Sequence, residues 1–325
     1  GLITQRSQVQ ILLAQPNTRR PLLSGRFAFQ PRHCEAHSGE ANRIHTHPVM
    51  LNLKQELNEA LSHATRIELQ TASGMQVWHV WNKDAGQPLV LLHGGSGSWN
   101  HWVRNVLPLS QTRAVWALDT PGLGDSELPA GAVDADHLAT PLAQGLQALF
   151  GEEAVDIVGF SFGGLVLGFM AAIEPHRVKR MVLVGVPGLG LSNNIVNMKG
   201  FRDNMTVSER EAVHKNNLLA IMLHDEELVT PDLLAMQAFN VGRDRLRRRR
   251  IARSDAMLAL QSQWTCEVHG IWGELDALYK GKMHLLPERL GQCRLQSFQL
   301  IVGAGHWVQF EKAPAFNHAL QTCLK

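Results

Sequence analysis

The sequence predicts an α/β protein with a mostly parallel, twisted sheet and helices on both of its faces. From about residue 88 onward, short continuously apolar runs alternate with helix-like segments, as expected for strands buried on both faces. One stretch, 190–262, breaks this alternation, because it contains several helical patterns and no buried-strand run. The 325 residues, 45% of them hydrophobic and 18% charged, suffice for one large domain with an inserted lobe.

The predicted elements follow one another in a regular order after Met50. Residues 66–71 and 76–81 alternate apolar and polar side chains around Ser73-Gly74, which predicts a hairpin. Buried strands are expected at 88–93, 114–118, 155–159, 181–186, 268–271 and just before and at 300–302, and helices near 99–108, 136–150, 162–175, 280–290 and 313–323.

These patterns divide the chain into four parts. Residues 50–189 and 263–325 form the two sections of one core domain, and residues 190–262 form a helical lid over the carboxyl edge of the sheet, where ligands bind in open α/β sheets. Residues 1–49 carry two acidic residues against six arginines and show little periodicity, which predicts a disordered tail. Because its start resembles a transfer-RNA gene translated in error, we interpret this tail as not native, with Met50 as the natural start.

Charge and cysteine usage exclude several classes of protein. The formal net charge of +2 favours neither a nucleic-acid partner nor a membrane partner. The four cysteines are scattered and form no CxxC pair, so no disulfide framework and no structural zinc site are predicted. No apolar run could span a bilayer and no signal peptide is recognisable, which makes the cytoplasm the default location. We expect no cofactor and no metal ion, since the loose N-terminal cluster matches no ligand spacing: His33, Cys34, His37, His45 and His47.

A nucleophilic serine is predicted at Ser161, in Gly159-Phe160-Ser161-Phe162-Gly163. A strand pattern precedes this pentapeptide and a helix pattern follows it. A serine in so sharp a strand-to-helix turn needs very small neighbours two residues before and after it. The turn would expose the hydroxyl group at the start of a helix, where developing negative charge is favoured.

A glycine-rich loop, 93–98, follows the first buried strand. Its glycines allow backbone N–H groups to approach a ligand closely, which is typical of an oxyanion hole. We predict the N–H groups of Gly95 and Phe162 as the two donors, with Ser96 as the alternative to Gly95. His93 is interpreted as a structural residue whose ring binds nearby backbone.

The general base and its acid are predicted from their positions along the chain. His306 follows the last predicted strand in a glycine-containing loop, and Asp276 follows the strand before it, with Glu274 as the alternative acid. The order serine, acid, histidine is that of the α/β hydrolases. Asp119 and Asp125 precede Ser161, so we interpret them as structural residues of a turn.

Together these segments resemble the α/β-hydrolase superfamily of serine hydrolases from about Arg66 to the C-terminus. The resemblance rests on HGGSGS at 93–98, DTPGLGDS at 119–126, GFSFGG at 159–164, GELD at 273–276 and GAGHW at 303–307. It implies an α/β-hydrolase fold. The ending 305–312 is similar to that of the meta-cleavage-product hydrolases, which cut a carbon–carbon bond, and to that of lid-bearing esterases. Carbon–carbon hydrolases usually carry an asparagine where this chain has Phe160, which favours an ester.

The function predicted is therefore hydrolysis of a carboxylic ester in a small molecule through an acyl-enzyme. Carbon–carbon hydrolysis of a ring-cleavage product is the alternative, and a catalytically silent ligand-binding receptor is the alternative from another class. The oligomeric state stays open.

Seven arginines at 243–253 are interpreted mainly as a solvated helix face, and otherwise as a source of one arginine for a substrate carboxylate. Apolar residues of the lid and three tryptophans are expected to pack or to line an acyl pocket: Met198, Met205, Met222, Met236, Phe239, Trp99, Trp102 and Trp307.

Overall fold

A computed structural model describes residues 52–191, 196–246 and 248–325. The predicted N-terminal tail and its histidine and cysteine cluster lie outside the described residues. The fold is built on an eight-stranded sheet in the order β1-β2-β4-β3-β5-β6-β7-β8. The strands are β1 Thr65–Thr71, β2 Gly74–Trp81, β3 Pro88–Leu92, β4 Ala114–Asp119, β5 Val155–Phe160, β6 Val178–Val184, β7 Glu267–Gly273 and β8 Leu295–Ile301.

Helices cover the sheet and fill the connection between β6 and β7. The α-helices are α1 Leu53–Ser62, α2 Val106–Ser110, α3 Ala139–Phe150, α4 Phe162–Ile173, α5 Val207–Asn217, α6 Pro231–Gly242, α7 Ala256–Leu260, α8 Leu286–Arg289, α9 Val308–Glu311 and α10 Ala313–Cys323. None of the helices in the described part of the chain is long and apolar enough to cross a membrane.

The sheet is parallel except at its β1–β2 end. The predicted hairpin is present as the antiparallel pair β1–β2, and β2 also runs antiparallel to β4. From β4 to β8 all pairs are parallel, as expected for strands joined by helical crossovers. The predicted α/β fold with a mostly parallel sheet is confirmed.

Alternate residues of the buried strands belong to two separate hydrophobic clusters. In β3, Val90 and Leu92 join one cluster, whereas Leu89 and Leu91 join the other. Because side chains alternate along a strand, the two clusters lie on opposite faces of the sheet. This double burial explains why the sequence shows continuous apolar runs rather than alternation.

Two elements differ from their predicted bounds. Strand β6 ends at Val184 rather than at residue 186, because Gly185 adopts a positive φ of 55° and turns the chain out of the strand. The helix expected at 280–290 is reduced to the four residues of α8. Gly281, at φ 76°, and Pro287, at the start of α8, restrict that helix to a single turn.

The chain between β6 and β7 contains the helices α5 to α7, and we call residues 190–262 the insertion. Thr206 caps α5, and a capping box with Glu209 satisfies N–H groups of its first turn. The arginine-rich run does not form the predicted helix face. Helix α6 ends at Gly242, and among the described residues of the run, 243–246 and 248–253, only the short 3-10 turn Ile251–Arg253 follows.

Candidate active site

Ser161 lies at the carboxyl end of β5, in a strained turn. Its φ of 49° and ψ of −115° place it in a region that side chains rarely adopt. A Cβ atom on Gly159 would lie 2.5 Å from Cα of Gly164, and one on Gly163 would lie 2.5 Å from the carbonyl oxygen of His93. The turn can therefore form only with glycine at both positions, which is the physical reason for the predicted spacing.

His306 and Asp276 lie next to Ser161 although they are far from it in sequence. Nε2 of His306 is 2.9 Å from Oγ of Ser161, and Nδ1 of His306 is 2.7 Å from Oδ2 of Asp276. Since the carboxylate can only accept, Nδ1–H donates to it and Nε2 is left to accept from the serine hydroxyl. The histidine and the aspartate are each 1% exposed, so this hydrogen-bonded series is shielded from water up to the serine.

The alternative acid, Glu274, is not part of this arrangement. Its carboxylate accepts a hydrogen bond of 3.1 Å from the backbone N–H of Gly303, and the residue is exposed. Asp276 also accepts from the N–H of Leu278 at 2.9 Å. This second hydrogen bond orients the carboxyl group so that its other oxygen faces the imidazole.

The predicted oxyanion donors belong to the first residue of a helix and to the glycine-rich loop. Phe162 begins α4 directly after Ser161, and Gly95 lies in the glycine-rich loop after β3. In the described part of the chain, the backbone N–H groups of Gly95 and Phe162 have no hydrogen-bond acceptor. Both can therefore donate to a ligand without losing an existing hydrogen bond. Ser96, the alternative, has φ 50°, and its hydroxyl group donates to Asp244 at 2.5 Å.

His93 anchors the glycine-rich loop. Its Nε2 accepts from the N–H of Thr120 at 2.9 Å, and Nδ1–H donates to the carbonyl of Gly94 at 2.8 Å. Burial lowers the pKa of His93 to about 4. Burial thus keeps the ring neutral and the two backbone groups fix its orientation, in agreement with the structural role expected from the sequence.

Asp119 is a buried turn residue that does not approach the serine–histidine pair. It accepts hydrogen bonds from the N–H groups of Trp99 at 2.8 Å and Asp125 at 2.9 Å. A Cβ atom on Gly124 would lie 2.3 Å from the Asp119 carboxylate, so glycine is required there. Burial raises the pKa of Asp119 to about 6.

Glu311 is a buried residue near the site that the sequence analysis did not identify. One carboxylate oxygen accepts from the N–H groups of His224 at 2.7 Å and Asp225 at 2.8 Å, both in the insertion. The other oxygen accepts from the N–H of Gly305, which precedes His306. Glu311 therefore links the insertion to the loop that carries the histidine. The available signal was an acidic residue five positions after His306, directly after Phe310.

Two more carboxylates hold the arginine-rich run against the core. Asp134 accepts from the N–H groups of Arg250 at 2.5 Å and Ile251 at 3.0 Å. Asp244, which belongs to the run itself, accepts from the hydroxyl group of Ser96 in the core at 2.5 Å and from Arg249 at 2.7 Å. The basic run is therefore partly engaged with the core rather than solvated along its whole length.

The apolar residues expected to pack or to line a pocket separate into two groups. Trp102 and Trp307 are completely buried, which makes them core residues. Met236 is buried among the core residues as well, whereas Met198 is 53% exposed and Phe239 is 61% exposed. The exposed pair faces solvent, and Phe239 carries the guanidinium of Arg243 over its ring, 3.9 Å from the centroid.

Comparison with known proteins agrees with this fold. Residues 87–223 match the family model described as the alpha/beta hydrolase fold. With the strand order and the turn at Ser161, this match shows that the chain has the α/β-hydrolase fold, and the protein is a hydrolase.

Individual relatives of similar sequence carry the names of different activities. The chain is 27% identical to the 2-hydroxymuconate semialdehyde hydrolase of Pseudomonas sp. (strain CF600), over 75% of this chain and 89% of that protein. It is 28% identical to the dihydrolipoyllysine-residue acetyltransferase component of the acetoin cleaving system of Pseudomonas putida, over 76% of this chain and 66% of that protein. The solved structure of serine hydrolase CCSP0084 from Cycloclasticus zankles superposes with a TM-score of 0.65 at 23% identity, covering 79% of this chain and 96% of that one.

Proposed function

We propose that the protein is a serine hydrolase that cleaves a carboxylic ester through an acyl-enzyme formed on Ser161. The observation that carries this proposal is the hydrogen-bonded series from Ser161 through His306 to Asp276, with distances of 2.9 and 2.7 Å. A serine hydroxyl is a weak nucleophile until a base removes its proton, and His306 is the base within reach. Asp276 holds the imidazole in the tautomer that can accept this proton.

The proposed reaction has two halves. As Oγ of Ser161 attacks the ester carbonyl, Nε2 of His306 takes its proton and then gives it to the departing alkoxide. Water next attacks the acyl-serine ester, loses a proton to the same nitrogen and releases the acid, while the proton returns to Ser161. The negative oxygen formed in each half accepts hydrogen bonds from the N–H groups of Gly95 and Phe162, each typically worth about 10²–10³ in rate.

The insertion is proposed to act as a lid over this site. Asp134 and Glu311, both from the core, hold backbone N–H groups of the insertion at 250–251 and 224–225. These hydrogen bonds support a position of the insertion beside the glycine-rich loop and beside the loop that carries His306. A lid in that position would exclude water and select a small-molecule substrate.

The residue before the nucleophile favours an ester over a ring-cleavage product. Phe160 is completely buried, and its ring packs 5.1 Å from the imidazole of His306. An aromatic ring supplies no polar atom to an enol or ketone oxygen at this position. Carbon–carbon hydrolysis remains the second candidate because of the similarity to the semialdehyde hydrolase of Pseudomonas sp. (strain CF600).

Replacement of the nucleophile tests the proposal. The purified protein should release 4-nitrophenol from short-chain 4-nitrophenyl esters, and Ser161→Ala should reduce kcat by about 10⁴-fold or more. Undiminished turnover by the variant would reject Ser161 as the nucleophile. Rapid bleaching of a yellow dienolate, without ester turnover, would instead select the carbon–carbon reaction, and inertness to both substrates and to a fluorophosphonate would select a silent receptor.

A further inference from the structure

Arg249 of the insertion lies directly beside the proposed oxyanion donors. Its guanidinium carbon is 4.9 Å from the ring centroid of Phe162. Its Nη1 atom is 3.2 Å from the point where a Cβ atom on Gly95 would lie. The charged group is therefore packed against both residues whose N–H groups we assign to the oxyanion hole.

One edge of this guanidinium is engaged and the other is not. Nη2 donates to Asp244 at 2.7 Å and to the hydroxyl oxygen of Ser96 at 3.2 Å. Nη1 is buried and has no hydrogen-bond partner among the described residues. A buried donor left unsatisfied is costly, so an acceptor that enters beside Gly95 would be bound favourably.

Neighbouring arginines of the same run either pair with other groups or face solvent. Arg243 pairs with Asp125 at 2.5 Å, and Arg245 donates to the backbone carbonyls of Gly124 and Ser126. Arg248 is exposed to solvent. Of these four arginines, only Arg249 combines contact with the site and a buried, unpartnered nitrogen.

We propose that Arg249 is a substrate-binding residue and that the substrates are esters that carry a carboxylate, such as half-esters of dicarboxylic acids. A planar guanidinium suits a carboxylate because its N–H groups match the two oxygens. Asp244 orients the guanidinium through Nη2 and leaves Nη1 for the substrate. The inference rests on the proposed ester hydrolysis at Ser161.

The spacing to the nucleophile limits the substrate to a short acyl chain. A Cβ atom on Gly94 would lie 3.4 Å from Cβ of Ser161, and the adjacent Gly95 contacts Arg249. Because each such Cβ atom lies about 1.5 Å from its Cα atom and consecutive Cα atoms are about 3.8 Å apart, Cβ of Ser161 and Nη1 of Arg249 are separated by at most about 13 Å. A three-carbon spacer between the two carbonyl carbons, as in glutarate, fits within this distance.

A matched pair of substrates tests the proposal on the wild-type protein. One is the mono-4-nitrophenyl ester of glutaric acid, and the other is the 4-nitrophenyl ester of glutaramic acid, in which a neutral amide replaces the carboxylate. We expect kcat/KM to be about 10- to 100-fold higher for the carboxylate, as for a charge-assisted hydrogen bond. Equal values in an active enzyme would overturn the anion subsite and leave the ester hydrolase intact.

Variants then assign the preference to Arg249. The ratio of the two kcat/KM values should fall close to one in Arg249→Met and be partly kept in Arg249→Lys. Arg248→Gln, which removes a positive charge one residue away, should keep the wild-type ratio. An equal loss on both esters in Arg249→Met would overturn the proposal, because it would mean that the guanidinium acts on the oxyanion or on the fold.

Inhibition of the wild-type protein covers the case in which Arg249→Met does not fold. Glutarate should inhibit competitively at concentrations about tenfold or more below those needed for glutaramide, as expected for a charge-assisted contact. Equal inhibition by both would overturn the anion subsite. The absence of Ser161-dependent turnover of either ester would instead reject the proposed function itself, so the two failures are distinguishable.

Discussion

The carboxyl edge of the sheet and the insertion above it are held in place in different ways. At the sheet edge, Ser161, Asp276 and His306 each lie within a few residues of the strand that precedes them. In the insertion, backbone N–H groups are bound by carboxylates that come from distant parts of the core, such as Asp134 and Glu311. The nucleophile, base and acid thus depend on local turns, whereas the position of the insertion depends on long-range polar contacts.

This difference implies that chemistry and substrate selection can be perturbed separately. Changes at the sheet edge should reduce the rate with every substrate, because they affect the reacting atoms. Changes in the insertion should act through the shape and charge of the site, or through Glu311 on the loop of His306.

The largest effect is expected for Asp276→Asn, which keeps the shape of the side chain but removes its charge. Loss of the carboxylate should favour the wrong imidazole tautomer and lower kcat by about 10⁴-fold. Glu274→Gln, two residues away and exposed, is the matched control and should retain wild-type activity. Steady-state kinetics with a 4-nitrophenyl ester measure both. If Glu274→Gln gave the greater loss, Asp276 would not be the acid.

Acid should destabilise the core through its buried histidines. Burial lowers the pKa values of His79 and His93 from 6.5 to about 4 and that of His101 well below 6.5, so unfolding between pH 6 and 4 takes up protons at all three. Asp119 acts oppositely: its pKa is raised from 3.8 to about 6, so unfolding releases one proton there. The net uptake of about two protons predicts that the free energy of unfolding falls by on the order of 2 kcal/mol per pH unit on acidification.

Urea unfolding from pH 7 to pH 4 measures this slope. His79→Phe should reduce it by about 1.4 kcal/mol per pH unit, since one proton is no longer taken up. The phenyl ring can keep the packing of His79 against Trp99, whose ring centroid is 5.2 Å away. A slope unchanged by this substitution would contradict the assignment of the pH dependence to the buried histidines.

Glu311→Ala should weaken the link between the insertion and the loop of His306. Three backbone N–H groups would lose their acceptor, and displacement of the imidazole should lower kcat by about 10- to 100-fold with a smaller change in KM. Glu311→Gln, which keeps one carbonyl oxygen, should restore part of the activity. The pH profile of kcat should also shift in Glu311→Ala, which a purely structural loss would not produce.

Asp134→Ala is the matched control for Glu311. It removes the acceptor for Arg250 and Ile251, which hold the insertion at another point without contacting the His306 loop. It should change KM more than kcat. An equal fall of kcat in the Asp134 and Glu311 variants would contradict a specific link to His306.

The smallest effect is expected within the insertion itself, at the capping box of α5. Thr206→Ala removes a side chain that accepts from the N–H of Glu209 at 3.2 Å, which should cost about 1 kcal/mol of helix stability. Ser208→Ala, an exposed hydroxyl-bearing position in the same turn, is the control. Hydrogen exchange should accelerate in α5 for the Thr206 variant alone, while the rate with 4-nitrophenyl esters stays unchanged.

The same contrast explains how far the sequence could be interpreted. The fold and the proximity of Ser161, Asp276 and His306 were predictable, because short strands, glycines and chain order encode them locally. Glu311 was not, because it binds His224 and Asp225, which are 87 and 86 residues away. The irregular segment after Gly242 was also missed, since the hydrogen bonds from its backbone to Asp134 and from Ser96 to its Asp244 side chain span more than 100 residues.

The most direct test of the account is covalent trapping of the nucleophile. The wild-type protein is treated with a fluorophosphonate, digested and analysed by mass spectrometry, alongside Ser161→Ala. We predict a single adduct on Ser161 that forms much more slowly in His306→Ala and is absent from Ser161→Ala. An adduct on another serine, or none in a folded wild-type protein, would contradict the assignment of Ser161.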